Sequence, residues 1–198
     1  AVGDVEFGDA GPDKVLIAND GGNIDIHYGY AHGTYITTVS SPYSAEDGFA
    51  VGNVNRGLYE EIVVSDVSED GIWIGGKDPF SGEFEPEYWI SQELASEDGL
   101  AVGDIWGDDA EEIIIADESS DRIYIYSHNR LDDQFELLSD FSCLFQPEDR
   151  LLSGILFTAG KAEILIARGH STEEREEGDI EIISYTPGEA PGGRYDLD

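Results

Sequence analysis

Side chains able to do chemistry are abundant in this chain, and most are acidic. Of its 198 residues, 44 are Asp or Glu and only 10 are Lys or Arg. The carboxylates gather in short turns rich in glycine, such as GDIWGDDAEE from Gly103 and GNVNRGLYEE from Gly52. Paired carboxylates are the machinery of glycoside hydrolysis. At this density close pairs arise by chance, and the sequence singles out none. No GxSxG, HExxH, CxxC, P-loop or dinucleotide fingerprint occurs. The histidines, His27, His32, His128 and His170, belong to no motif. His27 and His128 lie in or just after strand-like stretches and read as edge residues. The single Cys143 cannot form an internal disulfide and reads as a small core hydrophobe. Catalysis is therefore not the expected activity.

Aromatic rings are the other chemical resource, because they can stack on sugars or fill a core. Trp73 and Tyr124 alternate with isoleucines in equivalent segments and read as core. Trp106 and Tyr59 fall in polar turns, where a ring is expected to be exposed. These two are the ligand-binding candidates.

Charge narrows the partners. The formal net charge is −34. Nucleic acid needs basic contacts to its phosphates, so it is excluded as a partner. An anionic membrane surface is excluded for the same reason. No apolar run approaches the ~18 residues of a spanning helix. Such a charge opposes compaction unless it is screened. High internal salt, or an extracellular setting rich in divalent cations, would provide the screening. Nothing at Ala1 has the pattern of a signal peptide. The first repeat starts abruptly there, as it would after removal of a leader.

The elements that position these residues are written four times. DGLAVGDIWGDDAEEIIIADESSDRIYIY runs from Asp98 to Tyr126, and DGFAVGNVNRGLYEEIVVSDVSEDGIWIGG from Asp47 to Gly76. AVGDVEFGDAGPDKVLIANDGGNIDIHYGY opens the chain, and a worn copy begins at Asp149. The register glycines Gly3, Gly52, Gly103 and Gly154 are 49, 51 and 51 residues apart by subtraction. A period of this size marks a solenoid, propeller or array. Ile62-Val63-Val64 and Ile113-Ile114-Ile115 are short, β-branched, continuous apolar runs, the mark of strands buried on both faces. Sheets stacked face to face, as in propeller blades, bury their middle strands in this way. Each repeat divides into strands A to D. Strand A is expected at Ala1–Val5, strand B at Lys14–Ala18, strand C at Asn23–Tyr28 and strand D at Thr34–Ser41. Later outer strands are expected at Glu87–Gln92, Phe135–Leu144 and Arg194–Asp198. No helix of useful length is expected. The reading is an all-β fold, a small β-propeller of four blades with four antiparallel strands each. One domain over 1–198 divides near 1–46, 47–97, 98–148 and 149–198, and a ring closed in this way would be a monomer.

GDIWGDDAEEIIIA resembles the FG-GAP or VCBS repeat, whose usual form is close to GDVDGDGxDEIVVA. The resemblance covers all four repeats. It implies a propeller and, in the turn between strands A and B, a calcium loop with ligands at its first, third, fifth and ninth positions. The third turn offers Asp104, Asp108 and Glu112, with Trp106 at a ligand position. The second offers Asn53, Asn55 and Glu61, with Gly57 at one. The first holds Asp4, Glu6, Asp9 and Asp13, departs in spacing and contains Pro12. The fourth has Ile155, Phe157 and Ala159, and no carboxylate before Glu163. No turn keeps the whole pattern. Either these side chains cap turn backbone, or calcium binds at Asp4, Asp9 and Asp13 or at Asp104, Asp108 and Glu112.

The repeat specifies fold better than activity. The expected function is a non-catalytic binding or adhesion module that presents propeller loops to a glycan or protein, with calcium as an aid, at the cell surface or outside the cell. An accessory or catalytic domain of a polysaccharide-acting enzyme, a purely structural repeat module, and a place in the cytoplasm of a high-salt organism are the alternatives.

Overall fold

The computed structural model describes residues 2–3, 14–19, 22–30, 33–57, 59–78, 80–81, 83–108, 110–155, 162–169, 180–184 and 192–197. Every regular element among them is a β-strand. The strands form four antiparallel sheets, each running in chain order from an inner to an outer strand. Sheet one holds β1 (Val2–Gly3), β2 (Lys14–Asn19), β3 (Asn23–Tyr30) and β4 (Gly33–Ser40). Sheet two holds β5 (Gly48–Gly52), β6 (Glu61–Asp66), β7 (Gly71–Lys77) and β8 (Phe84–Ser91). Sheet three holds β9 (Gly99–Gly103), β10 (Glu112–Asp117), β11 (Arg122–Asn129) and β12 (Gln134–Ser142). Sheet four holds β13 (Arg150–Gly154), β14 (Glu163–Ala167), β15 (Ile180–Ser184) and β16 (Gly192–Leu197). The architecture is propeller-like, and two compact units divide it at Ser96 and Glu97.

The second strand of each sheet carries the apolar run. β6 and β10 are buried along their whole length, as continuous β-branched runs require. In the first unit Leu16, Ile24, Ile26 and Val39 of sheet one pack on Ile62 and Val64 of sheet two, with Phe49 and Trp73 against the same cluster. In the second, Ala101, Ile114, Ile123 and Ile125 of sheet three pack on Leu151, Ile164, Ile166 and Ile183 of sheet four. Cys143 lies in this second core. Close approach depends on Gly99, because a Cβ there would stand 2.7 Å from Leu151 Cβ and 2.9 Å from Phe145 Cζ.

Two recurring bonds set the repeat. The carbonyls of Gly22, Asp70 and Asp121, the left-handed residues of the turns between second and third strands, accept the N–H of Ser41, Gln92 and Cys143 just after the outer strand. The Glu-Asp corners tie each crossover to a turn. Asp47 accepts from Ser44 N (2.7 Å) and Val67 N (2.9 Å), and Asp149 from Gln146 N (3.1 Å) and Gly169 N (3.0 Å). Asp98 accepts from Glu118 N at 2.9 Å.

The outer strands differ from the sequence expectation at their ends. β8 starts at Phe84 rather than Glu87, and includes Pro86 opposite Gly75. Proline lacks a donor, which an edge strand tolerates. β12 ends at Ser142 rather than Leu144, and β16 spans 192–197. A bulge interrupts the third-to-fourth strand pairing in sheets two, three and four, after Ile74, Ile125 and Ile183. Sheet one keeps an unbroken register from Asn23↔Ser40 to Tyr30↔Gly33.

Candidate functional site

The turn after each inner strand is built on one glutamate. Gly52 pairs with Glu61, Gly103 with Glu112 and Gly154 with Glu163, whereas Gly3 pairs with Lys14. Each glutamate is buried. Glu112 Oε2 accepts the N–H groups of Ile105 (3.0 Å) and Trp106 (3.1 Å). Glu61 Oε2 accepts those of Val54 (3.0 Å) and Asn55 (3.3 Å). Burial pushes the Glu112 carboxyl up to about 7, and the charges of Asp108 and Asp104 add to this against the two N–H donors. Burial likewise raises Glu61 to about 8, with Glu87 adding and Asn55 opposing.

The loop side chains close the turn on itself. Asp104 Oδ1 accepts from Gly107 N (2.6 Å) and Asp108 N (3.1 Å), around a Gly107 with φ +82°. Asp108 Oδ1 accepts from Ala110 N at 3.2 Å. In sheet two Asn55 Oδ1 accepts from Gly57 N at 2.6 Å, and Asn55 Nδ2 donates to Glu87 Oε2 at 2.8 Å. Glu87 is the extra residue of the bulge, re-aimed by it toward the turn.

These donor sets do not make a calcium cage, which needs six to eight oxygens. In the third turn an indole stands at a ligand position, and Glu112 Oε2 and Asp104 Oδ1 already hold two N–H groups each. Among the described residues no group of three His, Cys, Asp or Glu side chains could hold a metal ion. Asp4, Asp9 and Asp13 lie outside the described residues.

Trp106 is exposed, at 38% of its surface, beside a fully buried Ile105. The turn therefore anchors one apolar side chain inward and presents the next outward. Tyr59 is half-buried, at the position that a buried Ala110 fills in sheet three. Trp106 and Tyr59 belong to different units. Trp73 is half-buried against the first core, on the face chosen by its pairing with Val64. Trp89, paired with Trp73 across the strands, is exposed.

A cleft of about 230 Å³ at the outer hairpin of sheet three had no sequence signal. Ser127, His128, Asn129, Glu136, Leu137 and Leu138 line it. The bulge places Leu138 out of register beside Leu137. His128 is buried, against the edge position expected for it. Its Nε2 lies 3.3 Å from Asp133 Oδ1, and its ring packs 5.2 Å from that of Phe135. Ser127 Oγ lies 3.5 Å from Glu112 Oε1, so one buried carboxylate stands between the cleft and the Trp106 turn. Alternation along β11 alone could not reveal this, because half of the lining comes from its partner strand β12.

No family model and no curated protein matches the sequence. Solved structures do match. One is an Agrocybe aegerita lectin, described for its specific recognition of non-reducing terminal N-acetylglucosamine. It is 11% identical, with a TM-score of 0.60 over 98% of this chain and 51% of its own. A protein from Lactobacillus plantarum matches at 14% identity and TM-score 0.54, over 94% of this chain and 53% of its own. The chain spans about half the length of both. The likeness is one of fold, all-β and propeller-like. No helix among the described residues is long and apolar enough to cross a membrane.

Proposed function

We propose that the chain is a non-catalytic glycan-binding module, one propeller domain in which sheets one to four are four blades and Trp106 supplies the stacking surface. The exposed indole on a turn fixed by Glu112 and Asp104 carries this reading. A sugar ring offers an apolar C–H face, and an aromatic ring held in place binds it with little conformational entropy to lose. The fold likeness to an N-acetylglucosamine-recognising lectin supports the ligand class. Clustered carboxylates around the turn favour neutral sugars over acidic ones. A module of this kind acts outside the cell or at its surface.

Titration with N-acetylglucosamine and a panel of neutral glycans tests the reading. Trp106→Ala is expected to weaken binding about tenfold or more, near 1.4 kcal/mol, with an unchanged melting temperature. Unaltered affinity in this variant removes the platform. Glycan cleavage on prolonged incubation marks an enzyme instead.

A further inference from the structure

Sheets two and three differ in what the bulge residue of the outer strand does. In sheet two that residue is Glu87, and a Cβ at Gly76 would stand 2.6 Å from Glu87 Oε1 and 2.7 Å from Glu87 Cδ. The carboxylate therefore lies over Gly76, and its Oε2 accepts from Asn55 Nδ2 of the turn at 2.8 Å. In sheet three the bulge residue is Leu138, which packs against the second core instead.

The frame around the two bulges repeats. Trp106, Ser127 and Leu138 stand 51 residues after Asn55, Gly76 and Glu87 by subtraction. Asn55 and Trp106 donate their N–H groups to Glu61 and Glu112. Gly76 pairs with Glu85, and Ser127 with Glu136. Ser127 thus stands under the space that Glu87 fills in sheet two, and there sheet three has its cleft of about 230 Å³. Because Glu87 bridges that space to Asn55, the cleft adjoins the turn of Trp106. Ser127 Oγ, 3.5 Å from Glu112 Oε1, makes the same link. Cleft and turn both belong to sheet three, within one compact unit.

We propose, resting on Trp106 as the stacking platform, that this cleft is a second sugar subsite. It holds the residue of a neutral oligosaccharide next to the one stacked on the indole. A polar occupant fits, since the chain itself puts a carboxylate in the equivalent place of sheet two. Ser127 Oγ can donate and accept, and the Glu136 carboxylate, held by Asn129 Nδ2 at 3.0 Å, accepts from hydroxyls. Leu137, 50% exposed, gives an aliphatic wall for a C–H face. Glu136, with Asp132 bonded to the same amide, repels an acidic sugar. The ligand class is thereby narrowed to neutral chains longer than a single sugar.

Calorimetric titration with N-acetylglucosamine and with its disaccharide tests this. The wild type is expected to bind the disaccharide about tenfold more tightly, the worth of one or two added hydrogen bonds. Ser127→Gln puts a side chain into the cleft as Glu87 does in sheet two, and Glu136→Ala removes an exposed acceptor. In both, the ratio of the two affinities is expected to fall toward one, with the melting temperature showing each to be folded. A wild type that binds the monosaccharide and gains nothing from the disaccharide overturns the subsite and leaves the Trp106 platform standing. A gain that survives in both variants also overturns it, since the second sugar then lies elsewhere. Binding of neither sugar overturns subsite and platform together.

Discussion

Arg168 Nη1 donates to Asp149 Oδ2 at 2.5 Å, and both side chains are buried. Sheets two and three place an aspartate at the position of Arg168. Asp66 accepts from Ser68 and Glu69, and Asp117 from Ser119 and Ser120, each holding its own turn. Sheet four instead uses a cation, which also donates to Leu144 O at 2.7 Å and to Glu181. Glu181 in turn stands where Trp73 and Tyr124 stand in sheets two and three. Arginine and glutamate have thus replaced aspartate and an aromatic as a set.

Removing the cation alone leaves two buried carboxylates without it. Arg168→Ala is expected to cost roughly 3–5 kcal/mol, the usual penalty for stranding a buried charge. Urea unfolding measures it. A loss under 1 kcal/mol would mean that the pair contributes nothing beyond its mutual neutralisation.

Stability should fall as pH rises from about 5 to 8. Unfolded glutamate titrates near 4.5, whereas Glu112 titrates at about 7 and Glu61 at about 8 in the fold. Between those values the folded chain holds protons that the unfolded chain has released, so raising pH favours unfolding. Glu112→Gln keeps an acceptor for Ile105 and Trp106 and removes the ionisation. It is expected to match the wild type at pH 5 and exceed it at pH 8 in thermal melts. Asp117 opposes this only at lower pH. Burial raises its carboxyl, but hydrogen bonds from Ser120 and Ser119 prevail and hold it below 3.8, so its contribution is lost only in acid.

Gly99→Ala is expected to destabilise by about 1–3 kcal/mol through overpacking. The new methyl meets Leu151 Cβ and Phe145, neither of which can swing aside as a chain end would. Chemical denaturation of this variant beside Gly154→Ala is the comparison. Gly154 has only Leu165 Cδ1 nearby, at 3.8 Å, and should tolerate the change better.

Monovalent salt should raise the melting temperature steeply. A formal net charge of −34 is most strongly self-repelling in the compact state. Screening lengths fall from about 30 Å at 0.01 M to about 3 Å at 1 M. A melting temperature that is flat across this range would refute the argument.

The sequence by itself determined the strands and their fourfold repetition. Apolar runs such as Ile113-Ile114-Ile115 fit a buried strand or a fragment of buried helix, and their shortness, β-branching and flanking turn residues favour the strand, while the glycines at Gly52, Gly103 and Gly154 mark the register of the repeat. It also announced Trp106 as an exposed ring, whereas Tyr59, expected exposed by the same reasoning, is half-buried. Tertiary structure decided what local pattern cannot encode. Glu112 looks like any acidic residue of a turn, and only burial under sheet three makes it a neutralisable anchor for the Trp106 backbone. The cleft beside His128 is lined in part by Leu138, which the bulge in β12 leaves out of register with β11, a relation between two strands. Arg168 pairs with Asp149 and Glu181 across 19 and 13 residues of chain. Such long-range pairing depends on the folded path rather than on neighbours in sequence.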